Sequence, residues 1–143
     1  MKTLTAANAV IILTAPPVWV APQQLQGFAT DDIFNTPALE AAEASMGVDG
    51  RLSAGFVFVP TRQEYNLQAD SDSIEFFDQL YLAERTNRDK YAIGGTIRLS
   101  SVGKQWDMVR GFLQEYPPIP SAGKILRPRR FAILWEAAVP SVV

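Results

Sequence analysis

Four carboxylates crowd one stretch of this sequence, Asp70, Asp72, Glu75 and Asp78, and such a cluster is what a calcium loop or a glycosidase would need. The spacing fits neither use. It lacks the loop length and the glycine position of an EF-hand, and Asp72 and Glu75 stand where carboxylates stabilise the start of a helix. An acid pair brought together only by folding cannot be read from a linear sequence. Gly47-Val48-Asp49-Gly50 has the glycines of a phosphate cradle without its lysine or spacing, so it reads as a turn. Lys124, Arg127, Arg129 and Arg130, with Phe131 and Trp135 close by, have the composition of a nucleic-acid surface. The cluster is short and broken by proline. It suits a loop feeding an edge strand, where basic residues suppress unwanted pairing, or a surface that meets another subunit.

Cysteine and histidine are both absent. That removes disulfides, thiol nucleophiles, Cys/His zinc sites and the usual acid–base residue of neutral pH. No Walker loop, dinucleotide fingerprint or nucleophile elbow is present. We therefore assign no catalytic, cofactor-binding or metal residue and expect a protein that is not an enzyme. Of the 143 residues, 48% are hydrophobic and 20% charged, which fits one globular domain spanning residues 1–143. The net charge of -2 creates no field that would draw the chain onto nucleic acid or an anionic membrane. No apolar run approaches the roughly 20 residues that span a bilayer, so no membrane partner is expected. The start, Met1-Lys2 followed by Ala9 to Leu13, imitates a secretory signal, but Asn8, Pro16 and Pro17 favour a first strand.

The elements that would position these groups are mostly strands. Val10-Ile11-Ile12-Leu13 and Val18-Trp19-Val20 predict one broken or two edge-type strands separated by prolines, with residues 25–28 as a possible continuation. Residues 52–59 and 63–69 predict two more, joined through Pro60-Thr61-Arg62. A helix is predicted over residues 73–86, with Asp72 as cap, Glu75 completing a capping box, and Ile74, Phe77 and Tyr81 on one face widened by Phe76 and Leu80. Strands follow at 91–93, 96–99, 106–116 and 130–136, with Gly94-Gly95 and Ser101-Val102-Gly103-Lys104 as hairpin-like turns. The expected class is mainly β, an α+β arrangement of about seven strands forming a β-sandwich or partly open barrel beside one main helix.

Between these elements lies a long excursion, residues 31–55. Its alanine-rich segment 38–45 predicts a short helical turn, ended by Gly47 and Gly50. From Lys2 to Arg51 no basic residue occurs, whereas Asp31, Asp32, Glu40, Glu43 and Asp49 make the excursion acidic. Leu39, Met46, Val48 and Leu52 give it more apolar surface than a solvated loop requires. An arm that docks on a neighbour explains both features, with the basic turn at 124–130 as its complement; a mobile polar loop is the plainer alternative.

The stretch Leu25-Gln26-Gly27-Phe28-Ala29-Thr30-Asp31-Asp32-Ile33-Phe34, followed by Met46-Gly47-Val48-Asp49-Gly50-Arg51-Leu52-Ser53-Ala54-Gly55-Phe56, resembles tail tube proteins of contractile-tailed bacteriophages. The likeness continues through Gln68-Ala69-Asp70-Ser71 and the closing Arg127-Pro128-Arg129-Arg130-Phe131, and so covers most of the chain. It implies a homo-oligomer of hexameric rings, stacked into a tube inside a contractile sheath, with a β-barrel lumen through which DNA passes non-specifically during ejection. Sheath, baseplate and tape-measure proteins are the implied partners. The implied location is the virion tail, after synthesis in the host bacterial cytoplasm. The arm would carry Asp31, Asp32, Phe34, Leu39, Glu40, Glu43, Met46, Val48, Asp49 and Arg51 to the adjacent subunit. Lys124, Arg127, Arg129 and Arg130 would face another subunit and not the lumen, because a basic wall would hold DNA instead of releasing it.

Three other readings stay open at this point. A tail terminator or connector would form single rings that do not stack. A monomeric β-sandwich binding module would use Trp19, Trp106 or Trp135 in a concave site, although tryptophan is more often core. An enzyme using carboxylates alone would need two acids of shifted pKa in one cleft.

Overall fold

The computed structural model describes residues 9–29, 33–40 and 42–142. Nine strands and one helix follow in the order β1 (Ala9–Ala15), β2 (Trp19–Gln24), β3 (Phe34–Asn35), β4 (Ala42–Met46), β5 (Leu52–Phe56), β6 (Thr61–Leu67), α1 (Ile74–Asn87), β7 (Ile93–Leu99), β8 (Lys104–Glu115) and β9 (Arg129–Val142). Seven strands make one antiparallel sheet, β2-β1-β7-β8-β9-β6-β3, while β4 and β5 pair only with each other. The class is the expected one, mainly β with one helix. The sheet is open, ending in β2 on one side and the two-residue β3 on the other.

Register puts the apolar side chains of neighbouring strands on one face, because alternate residues of a strand point the same way. Leu13, Gly95, Met108 and Ala138 form one row, and Ile93, Gly111, Trp135 and Thr61 form the next. Ile133 and Leu113 make a third, and Phe131 pairs with Tyr65. Helix α1 lays Ile74, Phe76, Phe77 and Leu80 on this face. Phe77 stacks on Phe131 with centroids 4.2 Å apart and planes 8° from parallel. Complete burial of a phenylalanine of this kind contributes about 2–3 kcal/mol.

Several local expectations change. Residues 42–46 are extended, not helical, because their pairing with β5 satisfies backbone groups that a short alanine-rich helix would leave open. Gly94-Gly95 lies inside β7 and makes no turn, since Gly95 sits beneath Leu13, Met108 and Trp135. The helix cap is Ser73, without a side-chain capping bond; its Oγ accepts from Gln26 N instead, at 2.7 Å. Tyr81 is at the margin of the helix face and 36% exposed. Residues 25–28 add no strand, only a bridge from Phe28 to Leu67.

Candidate functional site

The β4–β5 ribbon grows from a tight turn. Gly47 N donates to Arg51 O (2.8 Å), Gly50 N to Gly47 O (2.9 Å), and Asp49 Oδ1 accepts from Arg51 N (3.0 Å). Gly50 has φ +85°, where a side chain would be strained. The pairs Ala42↔Phe56, Ala44↔Ala54 and Met46↔Leu52 then share one face, and Glu43↔Gly55 and Ser45↔Ser53 share the other. Every residue of both strands is exposed, Met46 at 65%, Leu52 at 62% and Phe56 at 73%. An isolated two-stranded ribbon is marginal in water, so an uncovered apolar face of this kind calls for a partner surface.

The other residues expected on the arm sit differently. Leu39 and Glu40 are exposed before β4, and Val48 stands free at the tip. Phe34 belongs to the main sheet opposite Tyr65 and is half-buried. Asp31 and Asp32 lie outside the described residues.

The basic cluster divides into three. Lys124 and Arg127 are exposed on a loop closed by Arg127 N to Ser121 O (2.8 Å) and Gly123 N to Ile125 O (3.0 Å), beside exposed Ile125 and Leu126. Arg129 turns inward: 7% exposed, it pairs with Asp78 at 3.1 Å, donates to Pro117 O, and lies over Tyr116 and Phe131. Its guanidinium is an internal strut, so the assembly expectation narrows to the other three. Arg130 lies on the sheet face away from the helix, 3.4 Å from Glu64 and donating to Asn66 Oδ1 at 3.1 Å. Arg62 joins that network through Glu64 (3.1 Å) and Glu115 (2.7 Å).

Of the acidic cluster, Asp78 is engaged by Arg129 and by the Tyr116 hydroxyl, and Glu75 accepts from Gln79. Desolvation first, and the Asp78 hydrogen bond second, push the Tyr116 phenol up. Among the described residues no three acids gather as a metal site. Trp135 is buried completely and Trp19 stacks on Phe76 at 5.9 Å while donating to its carbonyl at 3.1 Å.

One surface escaped sequence reasoning. Helix α1 covers the end of the apolar sheet face near Phe131 and leaves the other end bare. There a groove of about 560 Å³ opens between the sheet, at Ile97, Trp106 and Ala138, and the segment 56–59 that leads from the ribbon. Phe56 and Phe58 meet edge-on at 4.9 Å on its wall. The strand expected to end at residue 136 runs on to Val142, so the length of β9 that leaves this end bare was not legible in the sequence.

No curated protein matches the sequence. The fold is shared with chains of three solved assemblies: an anti-feeding prophage baseplate (10% identity, TM-score 0.55, 100% of this chain and 99% of that one), the sheath/tube terminator of a PVC extracellular contractile injection system (9%, 0.58, 99% and 99%), and the tube-terminating cap of the anti-feeding prophage (8%, 0.55, 100% and 93%). At such identities the likeness is one of fold. A family model described as "Tail fiber protein gp32" matches residues 2–139, and the chain is therefore a member of that family.

Proposed function

We propose that this chain is a structural subunit of a contractile tail, a tube protein whose copies close into hexameric rings and stack around a lumen that conducts DNA. The observation that carries the reading is the ribbon, whose apolar face of Ala42, Ala44, Ala54, Met46, Leu52 and Phe56 has no cover among the described residues. Open sheet edges at β2 and β3 support it, because head-to-tail pairing of two different edges closes a ring when the rotation permits. The ribbon residues, with Lys124, Arg127 and Arg130, are the proposed inter-subunit contacts. Sheath, baseplate and tape-measure proteins are the proposed partners. Function in this reading is mechanical, without catalysis or cofactor. On the sheet face away from the helix, Arg62 and Arg130 are both held by Glu64, which makes this pair of cations less available to phosphate, while Arg98 is exposed on the same face.

Negative-stain electron microscopy of the concentrated chain tests the proposal. Hollow tubes of uniform width are the expected result. Isolated rings would replace it with a terminator or connector, and monomers at every concentration would favour a binding module.

A further inference from the structure

The groove beside the ribbon root has the features of an acceptor. Its floor is apolar, with Ile97, Trp106, Met108 and Ala138, and Glu136 is the charged residue on its lining. Its rim includes a bare strand edge. β6 begins opposite Trp135, so from Glu136 to Val142 strand β9 is bonded to β8 alone among the described strands. Unpaired backbone donors and acceptors beside an apolar floor suit an incoming extended segment, whose main chain adds to the edge while alternate side chains enter the groove.

A chain cannot fill its own groove with its own ribbon. The ribbon leaves from the groove wall at Phe56, pairs only with itself among the described strands, and carries Met46 and Leu52 about 14 Å farther out, four residue steps along a strand. Its apolar face matches the groove in another copy. Ala44 and Ala54 at its centre allow a close approach, and Met46 and Leu52 supply the bulk. The segment is acidic overall, with Glu40, Glu43 and Asp49, but Arg51 is the one cation among the described residues 33–60 and Glu136 the one charged residue on the groove lining, so a single opposite-charge pair is available to fix the register. We infer that the groove of each chain receives the apolar face of the ribbon of a second copy, with Arg51 set against Glu136. This rests on the assembly reading above and names its acceptor.

The chain has no cysteine, so single introduced thiols report contacts cleanly. Leu52→Cys protein is mixed with Ala138→Cys protein, assembled, and treated with a short bis-maleimide; a parallel mixture replaces Ala138→Cys by Lys124→Cys. The expected result is a covalent dimer in the first mixture only, lost several-fold with Arg51→Glu and regained when Glu136→Arg is added to the partner. Assemblies that cross-link through Lys124→Cys, or through neither position, overturn the groove as acceptor and leave arm-mediated assembly standing. Chains that stay monomeric, and behave alike with residues 36–50 deleted, overturn both.

Discussion

Trp135 lies so close over Gly111 that a Cβ at position 111 would stand 2.4 Å from its Cε3. The two residues are partners across β8 and β9, and the same indole covers Gly95 in β7, where a Cβ would meet Trp135 Cη2 at 3.1 Å. Two glycines in adjacent strands thus make the seat for one large side chain. At Gly111 the clashing atoms all belong to a rigid ring that is itself fully buried and cannot give way cheaply, whereas at Gly95 the nearest atoms are the flexible ends of Leu13 and Met108.

Gly111→Ala is therefore expected to destabilise the fold by about 1–3 kcal/mol, the usual cost of overpacking. Gly123→Ala, with no atom nearer than 3.5 Å to the added carbon, should change stability by less than about 0.5 kcal/mol. Urea unfolding of the two variants compares them directly. Equal midpoints would show that the Trp135 seat is plastic.

Arg129 and Arg130 are adjacent in sequence and opposite in consequence. Arg129→Ala removes the partner of Asp78 and the cation over Tyr116 and Phe131, and should cost on the order of 2–3 kcal/mol; Asp78 is one-third exposed, which keeps the loss below that of a fully buried pair. Arg130→Ala removes a largely exposed guanidinium from Glu64, which keeps Arg62 as a partner, and should stay within about 1 kcal/mol in stability and act on assembly instead. Thermal melts and sedimentation of both variants separate these effects.

Alkaline pH should weaken the fold through Tyr65. Burial pushes its phenol well above the ordinary range, and the Trp135 indole offsets only part of this. The folded state then keeps a proton that the unfolded chain releases near pH 10, so the contribution is complete below about pH 10 and is lost as pH rises beyond it. The expected loss approaches 1.4 kcal/mol per pH unit from this one group. Tyr65→Phe should flatten that decline in urea titrations between pH 9 and pH 11, against an offset from leaving the Gln63 side chain without its phenol partner. An unchanged slope would rule out Tyr65 as its source.

Met46→Asp and Leu52→Asp place charge on residues that are 65% and 62% exposed. Monomer stability should move by less than about 0.5 kcal/mol, while assembly should fail because a carboxylate would have to be desolvated at the contact. Circular dichroism melts with electron microscopy of the same samples test both halves. Tubes of normal length from either variant would remove the ribbon from the mechanism.

Much of the element pattern was legible because it is local. The alternation expected over 63–69, the run Val10-Ile11-Ile12-Leu13 and the apolar stripe of 74–80 each report their own partner face, and strands and a helix form there, the first of them two residues earlier, at Thr61–Leu67, with Thr61 and Arg62 inside it and not in the connection. Residues 42–46 were misread because alanine and glutamate favour helix only where no partner strand competes, and Leu52–Phe56 competes. Gly94-Gly95 looked like a turn for a similar reason. Glycine marks close approach as readily as reversal, and only the position of Trp135 decides between them.

By itself the sequence determined that the protein is mainly β with one amphipathic helix, that it lacks cysteine and histidine and the chemistry those two residues supply, and that an acidic, apolar-bearing segment lies in its first half. These follow from composition and from periodicities that each segment carries alone. Tertiary structure alone decided that Arg129 is an internal strut while Arg130 faces outward, that the middle segment is a ribbon with one apolar face, and that a bare groove adjoins its root. The reason is physical. Register across strands far apart in sequence sets which side chains share a face, and one helix is too short to cover a sheet whose last two strands run to 12 and 14 residues.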